Sequence, residues 1–242
     1  MKSAEPVLKG LFITGTSTGV GKTWITSALT RLLRQRGVDA VALKPFCCGS
    51  RDDAELLQKA ADSVLSLEEI NPVWFRAPAA PYVAAMVEGR HIDINHALES
   101  VQAARSKHRF VLVEGAGGWR VPILRDFAIS DLAQQIGLPI AVVASNRLGV
   151  LNHTLLTLES IKTSGNPLFG TLLNDTSSEI PESHEDHLAT LTNASILEEL
   201  LGCKLLDHIP WNGTPDRLVA QLVQHFELSA RQPTNESLPP TV

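Results

Sequence analysis

The run Gly15-Thr-Ser-Thr-Gly-Val-Gly-Lys-Thr23 sets a lysine and a hydroxyl at the end of a glycine-rich turn. It follows a short apolar stretch, Leu11-Phe12-Ile13, and opens a helix-like stretch from Trp24 to Arg36. Strand, glycine turn, Lys-Thr and helix, in that order, make a phosphate-binding loop. Glycine lets the backbone wrap a polyphosphate with its N–H groups turned inward. The helix N-terminus adds partial positive charge. Lys22 is placed to reach terminal phosphates, and the Thr23 hydroxyl to ligate Mg²⁺. The spacing is one residue longer than the usual G-x-x-x-x-G-K-[ST], because Gly15 stands one step early.

Further reactive types sit where apolar runs end. Lys44-Pro-Phe-Cys-Cys-Gly49 follows the second run, and Pro45 is expected to stop the strand. Asp52-Asp53 precedes a helix, where an aspartate serves either as a cap or as a metal ligand. Glu114-Gly-Ala-Gly-Gly118 follows the third run: the acid can hold Mg²⁺, directly or through water. The small residues Gly115, Ala116 and Gly117 let a phosphate or substrate approach the backbone. Asn174-Asp175 follows the fifth run, and an amide can read an adenine edge. An ordinary Asn-Asp turn fits the same residues. Gly149-Val-Leu-Asn-His153 opens a helix whose free N–H groups suit a carboxylate, or simply a cap.

These residues need a scaffold that brings strand ends together. Short apolar runs predict strands at Leu11–Thr14, Ala40–Leu43, Phe110–Val113, Ile140–Ala144, Leu168–Leu173 and Leu205–Ile209. Helices are predicted at Lys22–Arg36, Ala54–Ala61, Ile94–Lys107, Ile129–Ile136, Leu151–Thr163 and Glu185–Leu201, the last with a break near Asn193. The runs are continuously apolar, as in strands covered by helices on both faces. The fold class is therefore α/β, a P-loop NTPase-like domain with a mainly parallel sheet, whose ligands bind at the carboxyl ends of the strands. Asn71–Tyr82, with Pro72, Pro78 and Pro81, is expected to be an ordered loop, neither strand nor helix. Residues 1–229 are read as one domain and 230–242 as a flexible polar tail.

Bulk properties exclude several classes. Apolar residues make up 44% of the 242, enough for a sizeable core, and aromatics only 5%, so that core is expected to be aliphatic. A net charge of −5 without a long basic run argues against general nucleic-acid binding. No stretch is apolar for long enough to span a membrane. Three cysteines, two of them adjacent, do not suggest a disulfide framework and fit a reducing, cytoplasmic setting. Met1-Lys-Ser-Ala-Glu-Pro lacks the apolar centre of a signal peptide.

Taken together the motifs resemble the dethiobiotin synthetase family. That family carries a G-T-D-T-x-V-G-K-T loop, similar to Gly15–Thr23, a K-P-x-x-[ST]-G segment, similar to Lys44–Gly49, and E-G-A-G-G, matched at Glu114–Gly118. Leu148-Gly149 followed by Asn152-His153, the loop from Asn71-Pro72 to Pro81, Asn174-Asp175 and Ile209-Pro-Trp211 are also similar. Ser17, Gly19 and Cys48 depart from the pattern. The resemblance implies an ATP- and Mg²⁺-dependent ligase that closes a cyclic urea on 7,8-diaminopelargonate with CO₂. The route runs through a carbamate and a carbamic–phosphoric anhydride, in a homodimer.

By position, the resemblance makes Lys22 and Lys44 the catalytic cations and Thr23, Asp53 and Glu114 the metal ligands. Nucleotide contacts are implied for Thr18, Gly19, Val20, Gly21, Lys22, Thr23, Trp24, Asp53, Glu114, Gly115, Ala116, Gly117, Asn174, Asp175, Pro210, Trp211 and Asn212. Substrate contacts are implied for Cys48, Val150 and Asn152, the last two reaching a substrate held by the partner subunit. Two rival readings remain: a regulatory nucleotide-binding module of the same family, and a partitioning-type ATPase. The latter typically has an extra lysine early in the loop, and none lies between Gly15 and Gly21.

Overall fold

The computed structural model describes residues 8–179 and 183–231, the side chains of 226–231 excepted. In chain order the elements are β1 (Gly10–Gly15), α1 (Lys22–Gln35), β2 (Ala40–Leu43), β3 (Phe46–Cys48), α2 (Asp52–Ala60), α3 (Leu67–Ile70), β4 (Val73–Phe75) and α4 (Pro81–Glu88). There follow α5 (Ile94–Lys107), β5 (Phe110–Glu114), β6 (Pro122–Leu124), β7 (Phe127–Ala128), α6 (Ile129–Ile136) and β8 (Ile140–Ser145). The remainder is α7 (Val150–Thr163), β9 (Leu168–Asn174), α8 (His184–Leu201), β10 (Asp207–Ile209) and α9 (Asp216–Arg231).

Six strands form one parallel sheet in the order β10-β9-β8-β1-β5-β2. β1, β2, β5 and β8 are buried at every position. Side chains alternate across a strand, so burial at every position requires cover on both faces. α1 packs against β1, β2 and β5 and touches α2 and α9, while α5 lies against β5 and α6. Because the sheet is parallel, β1, β2, β5, β8, β9 and β10 all end at one edge. The phosphate-binding loop leaves β1 there, between Glu114 at the end of β5 and the end of β8.

Several expectations need correction. Asn71–Tyr82 is not wholly loop: β4 pairs in parallel with β3, and α4 begins at Pro81. Pro81 occupies the first helical position, where the missing N–H costs no bond. Pro45 does end the strand before it, yet β3 starts one residue later. α2 starts at Asp52, so Asp52 and Asp53 lie in its first turn and Arg51 is the cap residue. α8 runs unbroken through Asn193, whose buried amide donates to Asn146 Oδ1 at 2.9 Å and to the Arg147 carbonyl at 3.2 Å. α9 was not expected. Leu218, Val219 and Leu222 form its buried stripe, and it runs through Ala230 and Arg231, the start of the expected tail. The rest of that tail, from 232 on, and the Met1–Pro6 segment lie outside the described residues.

The pairing of β1 and β5 leaves no room at Gly10. A Cβ there would sit 2.1 Å from the Val111 carbonyl oxygen, a backbone atom that cannot swing aside. Gly10→Ala is therefore expected to cost about 1–3 kcal/mol, read as a lower urea midpoint at unchanged slope.

Candidate active site

The phosphate-binding loop spans the residues between β1 and α1. Gly21, its last residue, has φ 87°, in the left-handed region. A Cβ there would also lie 2.2 Å from Asn174 Nδ2. Both facts demand glycine. The Asn174 amide donates to the Val20 carbonyl at 3.0 Å, so the end of β9 braces the loop. Gly19, also at positive φ, faces open space, and Thr18 beside it is exposed.

Lys22 folds back over the loop and donates to the Ser17 carbonyl at 3.1 Å. It is only 6% exposed. Burial pushes its ammonium down to about 8, against the upward pull of Glu114 and with a further downward push from Lys44.

A second cation lies nearby. Lys44, the first residue after β2, donates to Glu114 Oε1 at 2.9 Å and also bonds Asp53 Oδ2. Burial alone would lower Lys44, but Glu114 and then Asp53 outweigh it and hold the ammonium well above the ordinary lysine value. The Thr23 hydroxyl donates to the same Glu114 Oε1 at 2.7 Å. Glu114 Oε2 is buried with no hydrogen-bond partner among the described residues. A buried carboxylate oxygen left without a partner is costly, so it is the one atom here that most wants a further cation. A hydroxyl and two carboxylates are the hard oxygen donors that suit Mg²⁺, which keeps several of its waters.

Lys44 and Asp53 open onto a cavity of about 430 Å³, also lined by Thr18, Cys48, Pro78, Pro81, Ala116 and Gly117. Gly115 packs inward: a Cβ there would lie 2.8 Å from Ile129 Cγ2. The Cys48 thiol is pushed up to about 11 by burial and then by Cys47, which makes it a neutral wall, not a nucleophile.

On the other side of the loop, the Trp24 indole donates to the Gly213 carbonyl at 2.9 Å. This bond ties the first turn of α1 to the segment after β10. Trp24 and Trp211 are both half exposed, and Asn212 takes a positive φ of 57° beside the exposed Pro210. Asp175 accepts from Asn146 Nδ2 at 2.8 Å and lies 3.0 Å from His208 Nε2. Val150 is buried and Asn152 exposed in the first turn of α7, and neither lines the Lys44 cavity. Two structural contributors, Arg51 and Asn71, were not among the expected site residues. Asn71 stood only as a loop boundary, and an arginine before a helix carries no signal of its own.

A parallel sheet, a glycine loop on the central strand and two buried lysines define a P-loop nucleotide-binding protein. Solved structures agree on the fold. The cell division ATPase MinD of Pyrococcus furiosus superposes with a TM-score of 0.55 at 17% identity, covering 91% of this chain and 99% of that one. The septum site-determining protein MinD of Pyrococcus horikoshii, solved with Mg-ADP, gives 0.53 at 16% identity over 84% and 81%. Residues 9–217 match the family described as "AAA domain". Curated relatives are closer in sequence. The ATP-dependent dethiobiotin synthetase BioD of Anaeromyxobacter sp. strain K is 45% identical over 84% of this chain and 91% of its own. BioD of Akkermansia muciniphila is 38% identical over 84% and 92%, and BioD of Bacillus subtilis strain 168 is 37% identical over 92% and 96%. The chain belongs to the ATP-dependent dethiobiotin synthetase family.

The lowered Lys22 value has a consequence for pH. The unfolded chain binds the extra proton between about 8 and 10.5, so this group adds stability as pH rises through that window. Anion binding runs the opposite way, because the charged ammonium is lost above about 8. Inorganic tripolyphosphate is expected to bind progressively more weakly as pH is raised past about 8, and Lys22→Met to bind weakly throughout, as read by calorimetry on either side of that pH.

Proposed function

We propose that the protein is an ATP-dependent dethiobiotin synthetase, closing a cyclic urea on 7,8-diaminopelargonate with CO₂ while ATP goes to ADP and phosphate. The observation that supports this reading is the cluster in which Lys44 bonds Asp53 and Glu114, Thr23 bonds Glu114 and Lys22 feels their charges, with Lys44 and Asp53 opening onto a cavity at the sheet edge. Phosphoryl transfer to a carbamate asks for positioning and charge neutralisation more than for covalent chemistry.

The backbone of Gly19 to Thr23 and the Lys22 ammonium hold the polyphosphate. The Lys44 ammonium neutralises the carbamate formed when one substrate amine takes up CO₂, and orients its oxygen toward the terminal phosphate. Thr23, Asp53 and Glu114 would hold Mg²⁺, which supplies charge neutralisation on the phosphate oxygens when bound. Thr18, Ala116, Gly117 and Cys48 wall the diamine cavity, and its apolar members exclude water from the carbamate. Asn174 and Asp175, with Pro210 to Asn212 and Trp24, bound the adenine site.

A homodimer is part of the proposal. Leu155 and Leu156 on α7, and Leu148 just before it, are exposed apolar residues near Val150 and Asn152, which would then meet the carboxylate of a substrate in the partner. No helix among the described residues is long and apolar enough to cross a membrane, and a cytoplasmic site of action is proposed.

The test is phosphate release on adding diaminopelargonate, bicarbonate and MgATP. Turnover that requires the diamine is expected. Nucleotide binding with no affinity for a diamino acid would instead leave a regulatory module. Lys44→Ala is expected to lower kcat on the order of 10²-fold or more, as loss of a charge stabiliser does, with nucleotide affinity retained. Near-normal turnover in that variant would remove the role given to Lys44.

A further inference from the structure

Lys44 and Asp53 are nine positions apart and meet across a tight excursion of the chain. Something must hold the two ends of that excursion in register, because Lys44 directly follows a strand and Asp53 lies in the first turn of a helix. The bonds across it converge on Arg51. Its guanidinium donates to Asn71 Oδ1 at 3.1 Å, to the Asn71 carbonyl at 3.1 Å and to the Leu67 carbonyl at 3.2 Å. It also stacks over the Trp74 ring, 5.3 Å from the centroid. Asn71 is 1% exposed, and its amide donates onward to the Lys44 carbonyl at 2.9 Å and the Val73 carbonyl at 3.1 Å. One buried asparagine is thus shared between the residue that caps the helix of Asp53 and the backbone of Lys44.

We infer that Arg51, acting through Asn71, is a positioning residue that sets Lys44 against Asp53 and Glu114. The inference rests on the function proposed above for its catalytic consequence, but not for its structural content. Four charge-assisted bonds from a rigid fork, the fourth to exposed Glu68 at 3.4 Å, fix a geometry that a lysine or a neutral side chain cannot reproduce. Arg51 does not line the cavity, so the effect is indirect. Misplacing a reacting or stabilising group by about 1 Å costs up to roughly 10²-fold in rate. The phosphate-binding loop is braced separately, through Asn174, so nucleotide affinity is expected to be spared.

Two measurements on the full chain test this, with Arg51→Met and, in case that variant folds poorly, Arg51→Lys. The first is acylation of lysines followed by mass spectrometry, which needs no substrate. Lys44 is 7% exposed and Lys22 6%. Either variant is expected to raise labelling of Lys44 severalfold and leave Lys22 unchanged. Labelling of both lysines together would show general loosening, and no change at Lys44 would show that Arg51 does not hold it. Each of those results overturns the inference.

The second is a double-mutant cycle on kcat. Arg51→Met is expected to lower kcat about tenfold or more, but to have no further effect in a Lys44→Ala background, since coupled sites are not additive. An equal loss in both backgrounds overturns it. If the parent protein shows no diamine-dependent turnover, the proposed function fails, and the labelling result alone still decides whether Arg51 positions Lys44.

Discussion

A fully buried carboxylate at the end of a central strand governs this structure. Glu114 ends β5 with its side chain wholly inaccessible. An ionised carboxylate cannot stay in such a place without cationic or hydrogen-bonding partners. Lys44 from β2 and Thr23 from α1 supply them, both on the same oxygen. The need to satisfy Glu114 therefore ties three elements to one point, and that point is where the reaction is proposed to run. Lys22 stands outside this pairing, so burial wins over attraction and its ammonium is weakened, while Lys44 is strengthened. The two lysines thus have opposite acid–base character, because Lys44 is bonded to both Glu114 and Asp53 while Lys22 is bonded to the Ser17 carbonyl.

The sheet explains why these groups meet. β1 lies between β5 and β8, and every strand of the main sheet runs the same way. A ligand loop leaving the middle strand meets the end of β5 on one side and the ends of β8 and β9 on the other. Lys44, Glu114 and Asn174 each end or directly follow a strand. The small β3–β4 ribbon is a separate addition, and it forms one wall of the cavity beside Lys44 through Phe46 and Cys48.

Much of this was legible in the sequence. The six main strands are continuously apolar because both faces are covered, and that pattern survives without knowledge of the fold. Lys22, Thr23 and Glu114 were readable because glycines around them mark backbone that must stay bare. Lys44 and Asp53 were more ambiguous: a lysine at a strand end is commonly solvated, and an aspartate near a helix start is commonly a cap. The structure makes Arg51 the cap residue. β3, β4 and α4 were hidden by prolines, which were read as punctuation although Pro81 begins a helix. α9 carries the apolar stripe Leu218, Val219 and Leu222, a helical signal that the sequence does contain. Asn174 shows another limit. An amide that can read a base can equally bond a backbone carbonyl, and residue type does not say which.

The brace from Asn174 to Val20 joins residues 154 positions apart, and the Lys44–Glu114 pair joins residues 70 apart. Contacts of that sequence separation require long stretches of chain to be brought together first. The brace on the phosphate-binding loop exists only where these distant parts of the chain have docked. A molecule that occupies the finished loop then draws the population toward the assembled state by mass action. For this architecture the nucleotide is a folding ligand as well as a reactant.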